Sequence, residues 1–345
     1  MRTITALLGI GLLAWSMGAA APAASQPASG TEEAASNAAR LDGVVFLPDR
    51  GTLYALVSEL QDAFKSGEVP DSPEAEAVRQ LPDGTPAVRL RALADHGFQV
   101  GWDREQKEAW VARDGRRVRV RKGYRTVMDG VTFADAPGTL LAAVRDLGQA
   151  LGTRVRWDAG SQRAMLLGWE IPEDAQRKMV DGSRLVKVSA LHGWGAEIEW
   201  REEANAARVS RDEHVTWVRL GPKRVEISLD EQRLKAWQGD LLVLDTRISS
   251  GRAGQETPTG EFRAGPLKTE MLISRKYNNA EMPWSVQIQG DIVIHGYQSV
   301  PPRAASHGCV RLPLTGNNPA RWFYEWVDVG TPIQIADGWP GGSPG

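Results

Sequence analysis

The sequence predicts an α+β protein that is mainly β and has two parts, a repeat region over residues 41–212 and a second β-rich region over residues 219–337. Two observations lead to this fold class. The pattern G-x4-W-x6-A occurs three times in the first part, which indicates a repeated structural unit. Apolar and polar residues alternate through much of the second part, which is typical of strands. The copies of the pattern are Gly97-Trp102-Ala109, Gly152-Trp157-Ala164 and Gly195-Trp200-Ala207.

Each repeat is predicted to contain a helix followed by two strands. In "TLLAAVRDLGQALG" apolar residues recur at helical spacing from Leu140 to Leu151, and Gly152 stands where a C-terminal cap belongs. Each Trp then lies in a short segment, "FQVGWD", "TRVRWD" or "AEIEW", which predicts a strand. A turn and a second strand ending near the Ala complete the helix-strand-strand unit.

A second internal similarity indicates that a unit was duplicated. "DGVVFLPDRGTLYAL" at 42–56 and "DGVTFADAPGTLLAA" at 129–143 share D-G-V-x-F and G-T-L at equal spacing. The segment "SGEVPDSPEAEAVRQLPDGTPA" is interpreted as a loop inserted into the first copy.

The repeated tryptophans allow two interpretations. A Trp that recurs once per repeat on the buried phase of a strand is an anchor of the core, and this is the interpretation that we prefer. The alternative is a set of sugar-stacking platforms for glycan strands.

The order of helix, Gly, strand with Trp-Asp, turn and strand resembles the N-terminal-like domain of copper amine oxidases. The resemblance covers roughly residues 41–212, and it implies a stalk built from α/β repeats. His96, His192 and His214 lie far apart in the sequence and have no partners at metal-ligand spacing. We therefore expect no copper or other metal in this region.

The N-terminus predicts export. A short apolar run follows Arg2, and small residues at Ala19 and Ala21 offer a cleavage site, which together indicate a signal peptide over residues 1–24. The run is shorter than the ~20 residues of a membrane-spanning helix. No cysteine follows it, so a lipoprotein anchor is not expected. The predicted protein is secreted, resides in the periplasm and has no stable membrane anchor.

Composition predicts disordered segments at both ends and limits the class of partner. Residues 25–40 are small and polar and are predicted to be a disordered linker, and residues 338–345 are predicted to be a disordered tail. The net charge is −2, from 41 basic and 43 acidic residues, so no overall field favours nucleic acid.

The second region is predicted to be mainly β. From residue 219 to 251, alternating apolar segments are separated by the turn formers Asp230-Glu231 and Gly239-Asp240. Helical features return in "NNPARWFYEWV", where Asn318 is a predicted N-cap and Pro319 the first helical residue. The segment "VGTPIQI" is predicted to be a closing strand.

The only cysteine of the chain, Cys309, lies in "SHGCVRL". A lone cysteine in an exported protein is an intermolecular bridge, a buried apolar residue or a reactive thiol. The polar neighbours favour a reactive thiol on an exposed turn. His295 ends the apolar segment "GDIVIHG", and the loop after it contains two prolines, so we expect this imidazole at a strand end beside the thiol.

The residues around the cysteine favour acyl transfer. The amides of Gly308 and Cys309 are placed to form an oxyanion hole. Arg311 is either a carboxylate-binding group or a structural ion-pair partner, and Ser306 either orients a histidine or stabilises a turn. A zinc site made of Cys309, His307 and His295 and a catalytically inert module remain alternatives at this point.

The segment "IHGYQSVPPRAASHGCVRL" resembles the active-site motif of bacterial L,D-transpeptidases, and "SGRAGQETPTGEFRAG" resembles that family's T-P-x-G-x-[FY] landmark. The resemblance covers about residues 220–337 and implies a β-sandwich-like catalytic domain. It assigns Cys309 as the nucleophile and His295 as the proton acceptor and donor. The remaining candidate residues for the oxyanion hole or substrate binding are Gly308, His307, Arg311, Ser306 and Tyr297, and Tyr297 departs from the family pattern because a small Thr is common at its position.

The resemblance also implies the reaction. The thiol would attack the meso-diaminopimelate carbonyl of a peptidoglycan stem peptide and release D-Ala, and an acceptor amine would resolve the thioester without a cofactor. The acceptor is a second stem peptide or an outer-membrane lipoprotein. Two alternatives stay open: a thiol hydrolase, L,D-carboxypeptidase or amidase that acts on peptidoglycan, and a non-catalytic wall-binding protein.

Overall fold

Strands arranged in five sheets are the main secondary structure of the computed structural model, which describes residues 39–339 except 48, 50, 66–68, 71–75 and 162. The described residues belong to one compact unit, Ala39–Gly345. The predicted signal peptide, the linker up to residue 38 and the tail from residue 340 lie outside the described residues.

The first part contains seventeen strands in the described residues. They are β1 (Arg40–Phe46), β2 (Tyr54–Leu56), β3 (Val78–Gln80), β4 (Pro86–Arg89), β5 (Gln99–Asp103), β6 (Glu108–Arg113), β7 (Arg116–Asp129), β8 (Val131–Phe133), β9 (Ala136–Ala143), β10 (Arg156–Asp158), β11 (Arg163–Leu166), β12 (Trp169–Glu170), β13 (Gln176–Lys178), β14 (Arg184–Lys187), β15 (Glu197–Arg201), β16 (Ala206–Arg211) and β17 (His214–Arg219). The helices of this part are α1 (Val57–Phe64), α2 (Val144–Ala150) and the 3₁₀ helices Leu90–His96, Glu173–Ala175 and Val188–Trp194.

The second part contains nine described strands and one α-helix. The strands are β18 (Lys223–Ser228), β19 (Arg233–Gln238), β20 (Leu241–Arg247), β21 (Gly260–Arg263), β22 (Lys268–Ser274), β23 (Ala280–Gln289), β24 (Ile292–Tyr297), β25 (Val310–Pro313) and β26 (Pro332–Ala336). The helices are α3 (Pro319–Trp326) and the 3₁₀ helix Arg275–Tyr277. The prediction of a mainly β protein is confirmed.

The sequence repeats correspond to repeated structure. In each copy the Trp of the first strand pairs directly with the Ala of the second, in the same antiparallel register. The glycine that ends each helical stretch has a positive φ, which a residue with a Cβ rarely adopts. The three φ values are 80° at Gly97, 66° at Gly152 and 84° at Gly195.

The helices are shorter than the sequence predicts. The predicted helix "TLLAAVRDLGQALG" begins at Val144, because the residues before it form β9, whose Leu141 and Ala142 pair with β14. The helical stretches of the other two repeats are 3₁₀ helices. The predicted inserted loop, residues 66–87, contains β3 and the first two residues of β4, which together form a hairpin.

The prediction that the repeat tryptophans anchor the core is wrong. Trp102, Trp157 and Trp200 are 49%, 52% and 50% exposed, whereas the paired alanines are buried. The buried core reaches only the apolar residue two positions before each Trp, and each strand continues past the edge of the core. These preceding residues are Val100, Val155 and Ile198.

The strands of the first part form three sheets. The largest has the order β15-β16-β17-β7-β1-β2-β4-β3, and β6 joins it through β7. Its long central strand, β7, pairs in parallel with both β1 and β17. A second sheet has the order β13-β14-β9-β8, and the third is formed by β10, β11 and β12.

Two sheets of the second part share one core with helix α3. One has the order β20-β19-β18-β26-β21 and the other the order β22-β23-β24-β25. The core joins residues such as Ile227 of the first sheet to Ile294 of the second and to Trp326 of the helix. Helix α3 starts as predicted, because the Asn318 side chain accepts a hydrogen bond from the Arg321 N–H and Pro319 is the first helical residue.

The same core extends into the first part of the chain. Phe133 of β8 is buried and meets Trp322 of α3 edge to face, with ring centroids 5.3 Å apart. The amide of Ala134 donates to the Glu325 carbonyl oxygen at 2.8 Å. The Gln238 side chain links the two parts again, because its Oε1 accepts from both the Thr132 amide and the Trp326 indole at 3.1 Å.

Membrane-spanning helices are not found in the part of the chain that the structure describes, since none of its helices is long and apolar enough.

Candidate active site

The site lies where strands β24 and β25 run in parallel. Ile294 pairs with Val310 and His295 with Arg311, so Cys309, just before β25, lies level with Val293. Side chains of residues two apart point to the same face of a strand. His295 is therefore diagonal to the cysteine on the same face, and the structure brings these two predicted residues onto neighbouring strands.

The position of His295 differs from the prediction. It lies within β24, which continues to Tyr297, rather than at the end of a strand. Gly296, the next residue of β24, allows a close approach of the chain: a Cβ there would lie 2.4 Å from a side-chain carbon of Leu314, just after β25, and 3.1 Å from the Cβ of Ala320 in α3. The His295 side chain is consequently buried, at 4% exposure.

The prediction of an exposed turn around the cysteine is also wrong. Cys309 is 7% exposed and forms a small apolar cluster with Met282 and Val293, against which Leu272 packs. Met282 and Leu272 belong to strands β23 and β22, which pair with each other and continue the sheet beyond β24. The residues next to Cys309 in sequence do not indicate this burial, because Met282 and Leu272 lie 27 and 37 positions upstream.

The environment of the thiol favours its neutral form at rest. Burial raises the pKa of the Cys309 thiol, while the backbone N–H of Val293 and the charge of Arg311 act in the opposite direction. The thiol donates a long hydrogen bond to the Asp291 carbonyl oxygen, with 3.8 Å between sulfur and oxygen. The thiolate must therefore be formed with the help of a base.

His295 is a neutral base in a fixed tautomer. Its Nδ1 lies 2.9 Å from the Gly296 carbonyl oxygen. Since a carbonyl only accepts, Nδ1 carries the proton and Nε2 is left with a lone pair. Burial is the main reason that the pKa of His295 falls to about 4; the charge of Arg311 lowers it further, and the hydrogen bond to Gly296 opposes the shift.

The loop before Cys309 is held by two hydroxyl groups. Ser306 Oγ donates to the Cys309 carbonyl oxygen and accepts from the Gly308 N–H at 3.2 Å. Gly308 has a φ of 111°, which a side chain at this position would strain. In this conformation the Gly308 amide, assigned to the oxyanion hole by resemblance, is already bonded to Ser306.

Thr257 fixes the peptide between Gly308 and Cys309. Its Oγ1 donates to the Gly308 carbonyl oxygen at 2.8 Å and accepts from the Gly251 N–H at 2.8 Å. In a trans peptide the N–H points opposite to the carbonyl, so the Cys309 N–H is turned away from Thr257. The sequence landmark "TPTGEF" contained this residue, but nothing in the sequence indicates its bond to the cysteine loop.

The other predicted residues lie at the edge of the site. The Arg311 guanidinium carbon lies 4.0 Å from the centre of the Tyr297 ring, and its Nη1 donates to the Ala305 carbonyl oxygen at 3.3 Å. The His307 ring packs on Tyr277, with centroids 4.8 Å apart. No sequence motif marks Tyr277, which lies in the 3₁₀ helix after β22.

Metal ligation was one alternative for this site. Among the described residues there is no group of three or more His, Cys, Asp or Glu side chains positioned to hold a metal ion.

Comparison with known families identifies the second part of the chain. Residues 222–335 match the sequence model of the L,D-transpeptidase catalytic domain, YkuD. The predicted resemblance of this segment to the L,D-transpeptidase catalytic domain is therefore confirmed. A comparison with curated proteins gave no match. The resemblance of residues 41–212 to the copper amine oxidase N-terminal-like domain stays a prediction.

Solved structures similar to this chain include two L,D-transpeptidases. The one from Stackebrandtia nassauensis is 25% identical with a TM-score of 0.31, over 35% of this chain and 58% of that chain. The one from Xylanimonas cellulosilytica is 26% identical with a TM-score of 0.28, over 34% of this chain and 61% of that chain. A fused Zn-dependent amidase/peptidase/peptidoglycan-binding domain-containing protein from Clostridium acetobutylicum is 27% identical with a TM-score of 0.28, over 33% of this chain and 51% of that chain. The matched region spans between half and two thirds of each of these structures.

Proposed function

We propose that this protein is a cell-wall L,D-transpeptidase that uses Cys309 to form an acyl-enzyme with peptidoglycan stem peptides. One observation carries the proposal. The only cysteine of a chain with an L,D-transpeptidase catalytic domain directly precedes the strand that pairs with β24, which carries a buried, neutral histidine whose Nε2 has a lone pair.

The first half of the reaction would acylate the thiol. His295 Nε2 takes the proton from Cys309 as Sγ attacks the meso-diaminopimelate carbonyl of a stem tetrapeptide. The Cys309 N–H, oriented by the bond between Thr257 and the Gly308 carbonyl, donates to the oxyanion. The protonated His295 then gives its proton to the departing D-Ala amine, and a thioester remains on Cys309.

The Gly308 amide would join the oxyanion hole as a second donor. It is bonded to Ser306 Oγ at 3.2 Å, a long hydrogen bond that an oxyanion can replace. Ser306 keeps its second bond, to the Cys309 carbonyl oxygen, and continues to hold the loop.

The second half of the reaction would transfer the acyl group to an amine. His295 accepts a proton from the attacking amine, the thioester collapses, and the neutral thiol is restored. We propose that the acceptor is the side-chain amine of another stem peptide, which gives a 3-3 cross-link, or a lysine of an outer-membrane lipoprotein. Both acceptors agree with the predicted export to the periplasm.

The test is product analysis with purified muropeptides. The mature protein is incubated with disaccharide tetrapeptides, and the products are followed by mass spectrometry with Cys309→Ala as the control. Cross-linked dimers and free D-Ala that depend on Cys309 support the proposal. Net loss of pre-formed dimers would instead identify a hydrolase, and no reaction together with retained sacculus binding would identify a non-catalytic wall-binding protein.

A further inference from the structure

Each of the three exposed repeat tryptophans lines a cavity. The cavity at Trp200 has a volume of about 920 Å³, that at Trp157 about 420 Å³ and that at Trp102 about 320 Å³. These volumes are in the range of small-ligand sites. Each of these Trp residues is about half exposed, so part of its surface is available to a ligand in the cavity. At Trp157 the Arg184 guanidinium carbon lies 5.6 Å from the ring centroid.

The cavities at Trp157 and Trp200 are built from equivalent positions of two repeats. Both are lined by the apolar residue two positions before the Trp, by the Trp and by the Ala paired with it. Both are also lined by the first residue of the helix that precedes them. The equivalent residues are Val144, Val155, Trp157 and Ala164 in one repeat and Val188, Ile198, Trp200 and Ala207 in the next.

Each of these two cavities is completed by the hairpin of the other repeat. The hairpin of β8 and β9 supplies residues 137–140 to the cavity at Trp200. The hairpin of β13 and β14 supplies residues 181–184 to the cavity at Trp157. Because β9 and β14 are antiparallel neighbours, each hairpin lies beside the cavity of the other repeat. A duplicated site of this kind suits a ligand that is itself a repeating polymer.

The charges at the two cavities are balanced. Lys187 and Asp328 line the cavity at Trp200. The charged residues at Trp157 are the bases Arg145 and Arg184 and the acids Asp146 and Asp181. A polyanion would require an excess of basic groups, so the lining favours an uncharged ligand. Hydroxyl groups of Thr139, Ser189 and Ser183 add hydrogen-bonding capacity.

We propose that the cavities at Trp157 and Trp200 bind sugar rings of a glycan chain. A pyranose ring presents C–H groups on its faces, which pack on an indole, and hydroxyl groups at its edge, which the polar lining residues bind. The identification of the chain as peptidoglycan glycan rests on the proposed function, because the stem peptides that would acylate Cys309 are attached to that chain. Since the repeats and the catalytic domain share a core, a bound glycan would be held at a fixed position relative to Cys309.

The test is calorimetric titration of the mature protein with two uncharged probes. They are chitotetraose and glycan strands freed of peptides by an amidase, with the exposed lactyl carboxyl groups then converted to amides. The variants are Trp157→Ala, Trp200→Ala and the double substitution. Trp169→Ala is the matched control, because Trp169 is 56% exposed but lines neither cavity. Trp200→Phe keeps an aromatic face and tests whether stacking is what matters.

We expect the wild-type protein and the control to bind at least one probe equally well. Each single Ala substitution weakens binding about tenfold, and Trp200→Phe weakens it less. Absence of binding to both probes, or equal binding by the double variant and the control, overturns the proposal. Acylation of Cys309 by a carbapenem, measured on the same samples, checks that each variant is folded. It also separates the two proposals: glycan binding without acylation refutes only the function, and acylation without glycan binding refutes only these sugar sites.

Discussion

Thr257 Oγ1 donates a 2.8 Å hydrogen bond to the carbonyl oxygen of Gly308, 51 positions away in the sequence. This bond sets the direction of the next amide, that of the nucleophilic cysteine in the proposed mechanism. Thr257 does not touch the reacting atoms and is a positioning residue. It therefore joins the T-P-x-G segment directly to the cysteine loop.

Replacing Thr257 should impair the chemical step. Thr257→Val keeps the shape of the side chain but removes both hydrogen bonds, so the Cys309 amide loses its fixed direction. We expect kcat for cross-linking to fall by about tenfold to a hundredfold, a loss no larger than that of a direct oxyanion donor, with little change in KM. Thr257→Ser keeps the hydroxyl and should recover most of the rate. If both variants lose the same activity, or if KM rises instead, the positioning role is wrong.

The buried His295 should make stability depend on pH. Its pKa is lowered from 6.5 to about 4 by burial, so the unfolded chain binds more protons than the folded protein between these values. The stabilisation is present above about pH 6.5 and is lost as the pH falls toward 4, by at most roughly 3 kcal/mol. Urea unfolding at pH 7 and pH 4.5 measures it.

The control for this measurement is the pair of variants His295→Gln and His96→Gln. His295→Gln should show a smaller loss of stability between the two pH values than the wild type, whereas His96→Gln, at an exposed position, should behave like the wild type. Equal pH dependence in all three proteins would mean that His295 is not buried in its neutral form.

The two parts of the chain should unfold together. Phe133 of the repeat region is 1% exposed and packs on Trp322 of the catalytic domain. Phe133→Ala removes this contact from the shared core and should cost about 3–5 kcal/mol. Calorimetry should show one transition at a lower temperature, with activity lost in the same transition, whereas Trp169→Ala should change little. A repeat transition that separates from an unchanged catalytic transition would contradict the shared core.

The sequence predicted the features that depend on local conformation. The glycines at 97, 152 and 195 end helical stretches because their φ values are positive, and the spacing from Trp to Ala fixes the pairing of two strands across a turn. Asn318 and Pro319 likewise marked the start of α3 through local capping. These signals lie within a few residues of the structure that they specify.

Features that depend on distant packing were missed. The exposure of Trp157 could not be read from its strand phase, because the core ends at Val155, and only the tertiary arrangement sets that limit. Cys309 has polar neighbours in sequence but is buried by Met282 and Leu272. Helix α2 begins later than its sequence predicts, because the residues before Val144 have the apolar spacing of a helix but pair with β14 as a strand.

The central claim is that Cys309 is acylated with His295 as its base. Intact-protein mass spectrometry after rapid mixing with a stem tetrapeptide measures this directly. The account predicts a thioester adduct with the mass of the stem peptide less D-Ala in the wild type, a rate at least a hundredfold lower in His295→Ala, and no adduct in Cys309→Ala. A wild-type adduct that persists in Cys309→Ala, or that forms equally fast in His295→Ala, would contradict it.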